Sequence, residues 1–284
     1  MDNKINLLCL LATVALLAAC ASEPKKPTGT ASIKVVRDPV AQDRHFPFYG
    51  YAPREPLPLG ERSVDDVLES VAPYAVSQLR PYFDRAGVDY PPRKLALIGL
   101  KEEKKLELWA KDAHHPEYRF IRSYDILAAS GKDGPKLRRG DRQVPEGVYR
   151  VVRLNPNSNY HLSMKLDYPN EYDLFHANEE GRSEPGSDIF IHGKAVSAGC
   201  LAMGDSVIEE LFVLAAHVGA ENIKVVISPW DPRVVKLDPA RPGLPEWADE
   251  LYGEITEEIR AVSNADPVKV SSNRTTLPAG RGVR

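Results

Sequence analysis

The sequence predicts an α+β protein in which a mainly antiparallel β-sheet is flanked by helices. Three observations support this fold class. Of the 284 residues, 43% are hydrophobic and 27% are charged, so the chain can bury a core of ordinary size. Between residues 94 and 229, short apolar runs alternate with loops rich in Gly, Pro and Asn, as in a sheet. Apolar residues at helical spacing stand at both ends of this region.

The first helix is predicted to begin at Ser63. Asp66 stands three residues later, which is the spacing of a capping box, and apolar residues then recur at helical spacing. Because proline lacks the N–H donor of the helical hydrogen bond, we expect Pro73 and Pro81 to split this stretch. Gly87 marks its end.

Strands are predicted after this helix. Residues 95–100 and 106–109 are apolar and flank a charged turn, which is typical of a β-hairpin. The further predicted strands are 120–128, 147–154, 160–166, 189–191 and 222–227.

Two more helices are predicted near the C-terminal end of the sheet region. One should begin after Asp205, which we expect to cap it, and end near Gly219. The last should start at Pro245, a residue tolerated in the first turn, and carry Trp247 and Leu251 on one face.

The N-terminus has the features of a secretory signal. Lys4 precedes an apolar run over residues 5–19 that is too short to span a bilayer comfortably. The run ends in Leu17-Ala18-Ala19-Cys20, which resembles the lipobox of bacterial lipoproteins, where cleavage precedes a cysteine that is then acylated. This implies lipidation of Cys20, and Ala21 in place of aspartate favours the outer membrane. An ordinary cleaved signal with a chance cysteine is the alternative.

These features together give a predicted domain organisation and location. We expect a periplasmic protein that is held at the membrane through its lipid anchor. The predicted segments are a signal peptide (1–19), a lipidated tether (20–60), a helical N-terminal segment (61–93), the domain that contains the predicted sheet (94–229), a helical extension (230–261) and a mobile tail (262–284).

Charge and histidine spacing exclude two classes of partner. With 37 basic and 40 acidic residues the formal net charge is −3, which argues against nucleic acid as the main partner. His114 and His115 are adjacent, so on a strand they would face opposite sides, and the other histidines lack a metal-ligand spacing. We therefore predict neither a metal site nor a cofactor.

The remaining chemistry concentrates around Cys200. Of the three cysteines, Cys9 lies in the predicted signal and Cys20 is the predicted lipidation site, which leaves Cys200 as a lone thiol in an oxidising compartment. His192 stands eight residues earlier at the end of a predicted strand, close enough to act as its base if the loop folds back. The N–H groups of Gly199 and Cys200 are candidates for an oxyanion hole. A structural cysteine and a core histidine are the alternative.

The segment from His192 to Cys200 resembles the active-site motif of the L,D-transpeptidase (YkuD-type) family, in which a His-Gly pair on a strand is followed by Ser-x-Gly-Cys. Here these are His192-Gly193 and Ser197-Ala198-Gly199-Cys200. Further matching motifs point to the YafK-like branch, and they are residues 130–136, 140–141, 144–149, 167–170 and 201–205. The resemblance covers roughly residues 94–229 and implies a YkuD-like β-sandwich or barrel.

The resemblance also implies roles for individual residues. Cys200 would be the nucleophile, His192 the general base and acid, and Gly193 a backbone group that orients the histidine. Most family members have a second histidine directly before the Gly-Cys pair, where this chain has Ala198, which leaves the choice of substrate open. Candidate substrate contacts are Ser197, Arg138, Arg139 and Arg142, with Tyr160 and Tyr168 in a groove.

The implied reaction is acyl transfer on peptidoglycan stem peptides through a thioester on Cys200. An amine acceptor, on another stem peptide or on a wall-linked lipoprotein, would give a crosslink at diaminopimelate. Water would instead make the protein an amidase that cleaves stem-peptide or peptidoglycan–lipoprotein bonds. A peptidoglycan-binding lipoprotein without catalysis is the third alternative.

Overall fold

The computed structural model describes residues 52–264. Within this range the elements are, in chain order, α1 (Val64–Ala86), β1 (Lys94–Leu100), β2 (Lys105–Lys111), β3 (Arg119–Asp125), β4 (Ala128–Ala129), β5 (Gly147–Asn155), β6 (Ser163–Leu166), α2 (Glu171–Glu179), β7 (Phe190–His192), β8 (Leu201–Ala202), α3 (Asp205–Val218), β9 (Ile223–Ser228) and α4 (Ala248–Ser263). No helix in the described range is long and apolar enough to cross a membrane.

The nine described strands form one mixed sheet that curls into a half-barrel. Their spatial order is β3-β2-β1-β9-β5-β6-β7-β8-β4. All neighbouring pairs are antiparallel except β1 with β9 and β7 with β8. The predicted α+β class with a mainly antiparallel sheet is therefore confirmed.

Helix α1 is longer than the sequence predicts. Its start is as expected, because the Ser63 hydroxyl accepts the Asp66 N–H while the Asp66 carboxylate accepts the Ser63 N–H. The predicted split at Pro73 and Pro81 is wrong, since both prolines lie inside one continuous helix. The side chains of Val67, Val71, Ala75, Leu79 and Phe83 form a fully buried stripe, and this packing compensates for the hydrogen bonds that the prolines remove.

Other element boundaries differ from the predictions in informative ways. β6 begins at Ser163 rather than 160, so Tyr160 and His161 lie in a loop. α4 begins at Ala248 rather than Pro245, with Trp247 at its N-cap, and it continues to Ser263. Two elements, α2 and β8, were not predicted, and the predicted strand 120–128 is divided into β3 and β4, which lie at opposite edges of the sheet. The predicted signal peptide, Cys20, most of the tether and residues 265–284 lie outside the described residues.

The core has two parts, one on each face of the sheet. Helices α1 and α3 cover one face, where Leu95 and Leu97 of β1 point. Helix α4 covers the other face, where Ala96 and Ile98 point. Successive residues of a strand face opposite sides, so a single strand contributes to both parts. The connection from β7 to β8 lies at the other end of the sheet, between β6 and β4.

Candidate active site

The pairing of β7 with β8 brings the chain segments that carry His192 and Cys200 side by side. These strands are parallel, and His192 stands opposite Ala202 while Ile191 stands opposite Leu201. Cys200 is the bend residue that directly precedes β8. His192 therefore ends one strand while Cys200 leads into its neighbour, two positions before the residue that pairs with His192.

The His192 imidazole is held in one orientation by backbone. It is 3% exposed, and its Nδ1 lies 2.6 Å from the carbonyl oxygen of Gly193. Nδ1 must donate to this carbonyl, which fixes the neutral tautomer and leaves the Nε2 lone pair available. Burial lowers the pKa of His192, although its bond to Gly193 opposes the shift. The imidazole is therefore neutral at pH 7 and can accept a proton at Nε2.

The Cys200 thiol is half-buried and neutral. Burial raises its pKa, and this outweighs the opposite effects of the backbone at Phe190 and the charge of Lys136. Its Sγ makes a weak hydrogen bond, 3.8 Å long, to the carbonyl oxygen of Asp188. The hydrogen bonds of the described residues include none between Cys200 and His192. The raised pKa of the thiol and the lowered pKa of the imidazole both favour a resting pair in which the proton stays on sulfur.

The Ser197 hydroxyl organises the loop that carries the thiol. It donates to the carbonyl oxygen of Cys200 at 2.7 Å. It also accepts the N–H groups of Cys200 at 3.2 Å and Gly199 at 3.3 Å. These are the two donors expected to form an oxyanion hole, so in this structure they are directed at Ser197 instead. Ser197 thus bonds to the backbone of Cys200 rather than lining an open groove.

Both predicted glycines stand where a side chain would collide with backbone. A Cβ at Gly193 would come within 2.6 Å of the Tyr160 carbonyl oxygen and 2.8 Å of Asp205 Oδ1. Gly199 has φ +117, and a Cβ there would lie 3.1 Å from the Gln143 carbonyl oxygen. Any other residue would displace the histidine or the cysteine.

The two candidate groove tyrosines occupy different places. Tyr160 is 44% exposed and its ring covers His192, with 4.6 Å between the ring centroids. Tyr168 is 3% exposed, and its hydroxyl donates to the carbonyl oxygens of Pro185 and Lys136 at 2.8 and 3.2 Å. The structure therefore places Tyr160 at the site and Tyr168 in the core.

Residues 193–200 connect β7 to β8 and carry Cys200, and we call them the nucleophile loop. A cationic cavity of about 290 Å³ opens beside this loop. Its wall includes Asp188, whose carbonyl contacts the thiol, and Ala198 of the Ser-Ala-Gly-Cys segment. Lys136, Arg139 and Arg142 also line it, whereas Arg138 does not. A larger cavity of about 800 Å³ lies between α2, β5 and α4, and neither His192 nor Cys200 is among the residues that line either cavity.

Sequence reasoning missed the roles of two residues here. Asp205 does not cap α3, whose N-cap is Gly204, and its carboxylate instead accepts the Lys194 N–H at 2.8 Å in the loop between His192 and Cys200. Lys136 is buried and its ammonium group bonds to Asp141 and to the Arg138 carbonyl oxygen, beside the thiol. The glycine directly before Asp205 was a signal that Asp205 is not the N-cap, but no local pattern marked the role of Lys136. Among residues 52–264, no group of three or more His, Cys, Asp or Glu side chains is arranged to hold a metal ion.

Comparison with known proteins points to one class of domain. Residues 93–227 match the family model of the L,D-transpeptidase catalytic domain, YkuD. The match begins at β1 and ends in β9, so it contains His192 and Cys200. The resemblance identified in the sequence is thereby confirmed.

Individual relatives are more specific. The chain is 40% identical over 135 residues to the "Putative L,D-transpeptidase YafK" of Escherichia coli K12. The aligned region covers 46% of this chain and 52% of that protein. The protein of the same name from Escherichia coli O157:H7 matches equally well. The chain thus spans about half the length of these curated relatives.

Two solved structures are similar at a lower level. The helical cell shape determining protein Pgp2 of Campylobacter jejuni has a TM-score of 0.40 and 14% identity, covering 67% of this chain and 78% of that one. Bd1075 of Bdellovibrio bacteriovorus has a TM-score of 0.35 and 19% identity, covering 60% and 56%.

Proposed function

We propose that this protein is a cysteine-dependent acyltransferase that forms or exchanges bonds at diaminopimelate in peptidoglycan stem peptides. The observation that carries the proposal is the β7–β8 pairing, which brings the strand end that carries His192, with a free Nε2, beside the segment that carries the Cys200 thiol. The YkuD family match and the name of the E. coli relatives support the reaction class and the wall substrate.

The first half of the reaction would form a thioester. The thiol turns from the Asp188 carbonyl toward His192, and Nε2 takes its proton as Sγ attacks the carbonyl carbon of the L-centre. The C–N bond to the D-residue then breaks, and the imidazolium returns the proton to the leaving amine. An acceptor amine next loses a proton to Nε2 and attacks the thioester, which forms a crosslink and frees the thiol.

The oxyanion hole would form during this attack. The N–H groups of Gly199 and Cys200 donate to Ser197 over distances above 3 Å, which are long for N–H···O bonds. A developing negative charge on the substrate oxygen attracts these donors more strongly than a neutral hydroxyl does. The donors predicted from the sequence therefore keep this proposed role, with Ser197 as their resting partner.

The cationic cavity would bind a substrate carboxylate. Stem peptides carry free carboxylates, and Arg139 and Arg142 face this cavity within reach of the nucleophile loop. The Glu184 carboxylate lies 3.8 Å from Arg139 in a pair exposed to solvent, so a ligand can compete for this guanidinium. Arg142 thus joins Arg139 as a proposed contact, and Arg138 serves as a control from the same loop.

The location follows from the N-terminal sequence. Cleavage before Cys20 and acylation of that cysteine would hold the domain at the periplasmic side of the outer membrane, where peptidoglycan is within reach. The tether would provide the span between the lipid and the wall.

Purified wall sacculi test the proposal directly. They are incubated with the protein, with Cys200→Ala and with His192→Ala, and the muropeptides and the mass of the Cys200 peptide are followed by mass spectrometry. New diaminopimelate-to-diaminopimelate dimers and an acylated Cys200 in the unmodified protein alone support the proposal. The matched control is His115→Ala, which removes a histidine on the β2–β3 connection and should leave the products unchanged.

Other products would identify the alternatives. Freed lipoprotein peptides or cleaved stems would show that water resolves the thioester, which makes the protein an amidase. Products that are the same with the unmodified protein and with Cys200→Ala, and no acylated Cys200, would contradict catalysis and leave wall binding.

A further inference from the structure

The segment that precedes α1, residues 54–62, is bonded to the loop that covers His192. We call residues 54–62 the strap and residues 156–162, between β5 and β6, the cover loop. The cover loop carries Tyr160, whose ring lies over the His192 imidazole. Nothing in the mechanism proposed above uses the strap.

The first attachment of the strap is an ion-pair cluster. The guanidinium of Arg54 donates two hydrogen bonds of 2.7 Å to the carboxylate of Glu209 on α3. The same carboxylate lies 2.6 Å from Nε2 of His161 in the cover loop. Glu209 is 1% exposed, and although burial acts to raise its pKa, the hydrogen bonds from His161 and Arg54 keep that pKa below its ordinary value. Glu209 is therefore a buried carboxylate that depends on both partners.

The second attachment is at the other end of both segments. Arg62 donates from Nη2 and Nε to the carbonyl oxygen of Pro156, at 2.7 and 3.0 Å. Its backbone N–H donates to the Asn157 side chain, which donates back to the Arg62 carbonyl oxygen at 2.7 Å. The strap thus holds the cover loop near both of its ends.

The cover loop packs directly against Gly193, the residue that follows His192 at the end of β7. The Tyr160 carbonyl oxygen and the His161 Cβ lie against Gly193, so close that a Cβ there would come within 3.0 Å of each. His161 has φ +75, a conformation that a non-glycine residue adopts only when its surroundings hold it. Lys194 adds a further link, because its Nζ donates to the Asn159 carbonyl oxygen at 2.6 Å.

We infer that the strap is a positioning device for the active site, in which Arg54 acts through Glu209 and His161 to hold Tyr160 over His192. The inference rests on the proposed role of His192 in catalysis. Without Arg54, Glu209 keeps a single partner, the left-handed His161 is held less firmly, and the cover loop can leave the imidazole. Because residues 54–60 of the strap form the end of the predicted tether (20–60), the site would respond to whatever pulls on or displaces the N-terminal segment.

Hydrogen exchange of the full-length protein tests this coupling without any substrate. We expect Arg54→Ala and Glu209→Gln to raise amide exchange about tenfold, both in peptides from the cover loop and in peptides covering 190–204. Arg54→Lys should restore part of the protection, since a point charge replaces one of the two hydrogen bonds. Arg260→Ala, on α4 across the sheet, is the matched control and should change neither region.

A functional readout separates positioning from plain stability. In single-turnover acylation of Cys200, Arg54→Ala should lower the maximal rate about tenfold with little change in the substrate concentration for half-maximal rate. Faster exchange confined to the cover loop, with residues 190–204 unchanged, would overturn the inference. If Glu209→Gln fails to fold, Arg62→Ala releases the second attachment and should give the same paired change. Coupling in a protein whose Cys200 is never acylated would refute the proposed function while leaving the contact itself established.

Discussion

His192 and Cys200, the two side chains proposed to react, are buried in a way that keeps both of them uncharged. Burial lowers the pKa of His192 and raises the pKa of Cys200. A preformed imidazolium–thiolate pair requires the opposite shifts, with a raised histidine and a lowered cysteine. The resting site therefore holds a neutral thiol, and in the proposed mechanism the imidazole acts as a general base when substrate arrives.

Alkylation of Cys200 should show this protonation state. Because the thiol pKa is raised, the thiolate fraction should increase about tenfold for each pH unit through pH 6 to 8. We expect the rate constant for iodoacetamide to rise accordingly, measured on the Cys200 peptide by mass spectrometry. His192→Ala should keep this slope. A plateau below pH 7 that His192→Ala abolishes would instead show a preformed ion pair.

At this scale the sequence singled out the candidate reacting groups better than it described their surroundings. Cys200 and His192 could be proposed from the sequence because a lone cysteine and a histidine at the end of a predicted strand are visible in the chain itself. Tyr160 and Tyr168 are chemically alike, and only the tertiary structure separates the one over His192 from the one in the core. The cation of Lys136 reaches the thiol through space, which no local pattern records.

At the scale of elements, the connection from β7 to β8 decides where the nucleophile lies. It has no regular structure of its own, so backbone bonds to side chains must hold it. Ser197 binds the backbone of Gly199 and Cys200, and it is also bound by the N–H of Ser130 at 3.2 Å. Asp205 holds the other end through Lys194. The Ser197 hydroxyl therefore connects the loop that carries Cys200 to Ser130, which directly follows β4.

Removing this hydroxyl should loosen the loop. We expect Ser197→Ala to lower the free energy of unfolding by about 1–3 kcal/mol, since it leaves partly buried donors and an acceptor without a partner. Cys200 acylation should slow as well. Ser197→Thr retains the hydroxyl and should lie closer to the unmodified protein in both measurements.

Urea unfolding followed by circular dichroism gives the comparison. Ser70→Ala on α1 is the matched control, because it also removes one serine hydroxyl that bonds to backbone, and it should change stability by less than about 0.5 kcal/mol. A Ser197→Ala protein as stable and as reactive as the Ser70→Ala protein would contradict the role of Ser197.

Long periodic elements were predicted from the sequence, although α1 was expected to be split at its prolines. Of the short elements, β7 was predicted, whereas α2 and β8 were not. α1 and the β1–β2 hairpin carry many apolar residues in register, so local pattern and tertiary packing agree. β8 has two residues and exists only because β7 and β4 pair with it. α2 is nine residues long, and Asn170 with Asp173 forms a capping box that the sequence offered as a signal.

At the scale of the whole molecule, the two parts of the core are coupled because they share the strands β1 and β9. Alternate residues of β1 and β9 point into opposite parts, so neither part can lose its packing while the strands of the other stay in place. We therefore expect residues 52–264 to unfold in a single cooperative transition. A charge change buried between the two parts would then affect the stability of the whole unit.

Asp173 is such a group. It is 8% exposed, lies 3.3 Å from the hydroxyl of the core residue Tyr149, and adjoins Tyr172, which packs against the second part. Burial is the main cause that raises its pKa to about 7. The folded protein therefore binds a proton that the unfolded chain, with an ordinary aspartate pKa near 4, releases earlier. The stabilisation is complete below about pH 4 and is lost as pH rises toward 7 and above.

The expected result is a fall in unfolding free energy between about pH 4 and pH 7 that Asp173→Asn reduces by at most about 4 kcal/mol. Asparagine stays neutral at every pH and can still accept the Asn170 N–H that caps α2, so the helix should persist. Urea unfolding of both proteins at half-unit pH steps measures the difference. Because other buried carboxylates such as Glu210 also have raised pKa values, some slope should remain in the variant. Parallel pH profiles for the two proteins would mean that Asp173 is ionised in the folded state, and that its neighbours solvate it better than its burial indicates.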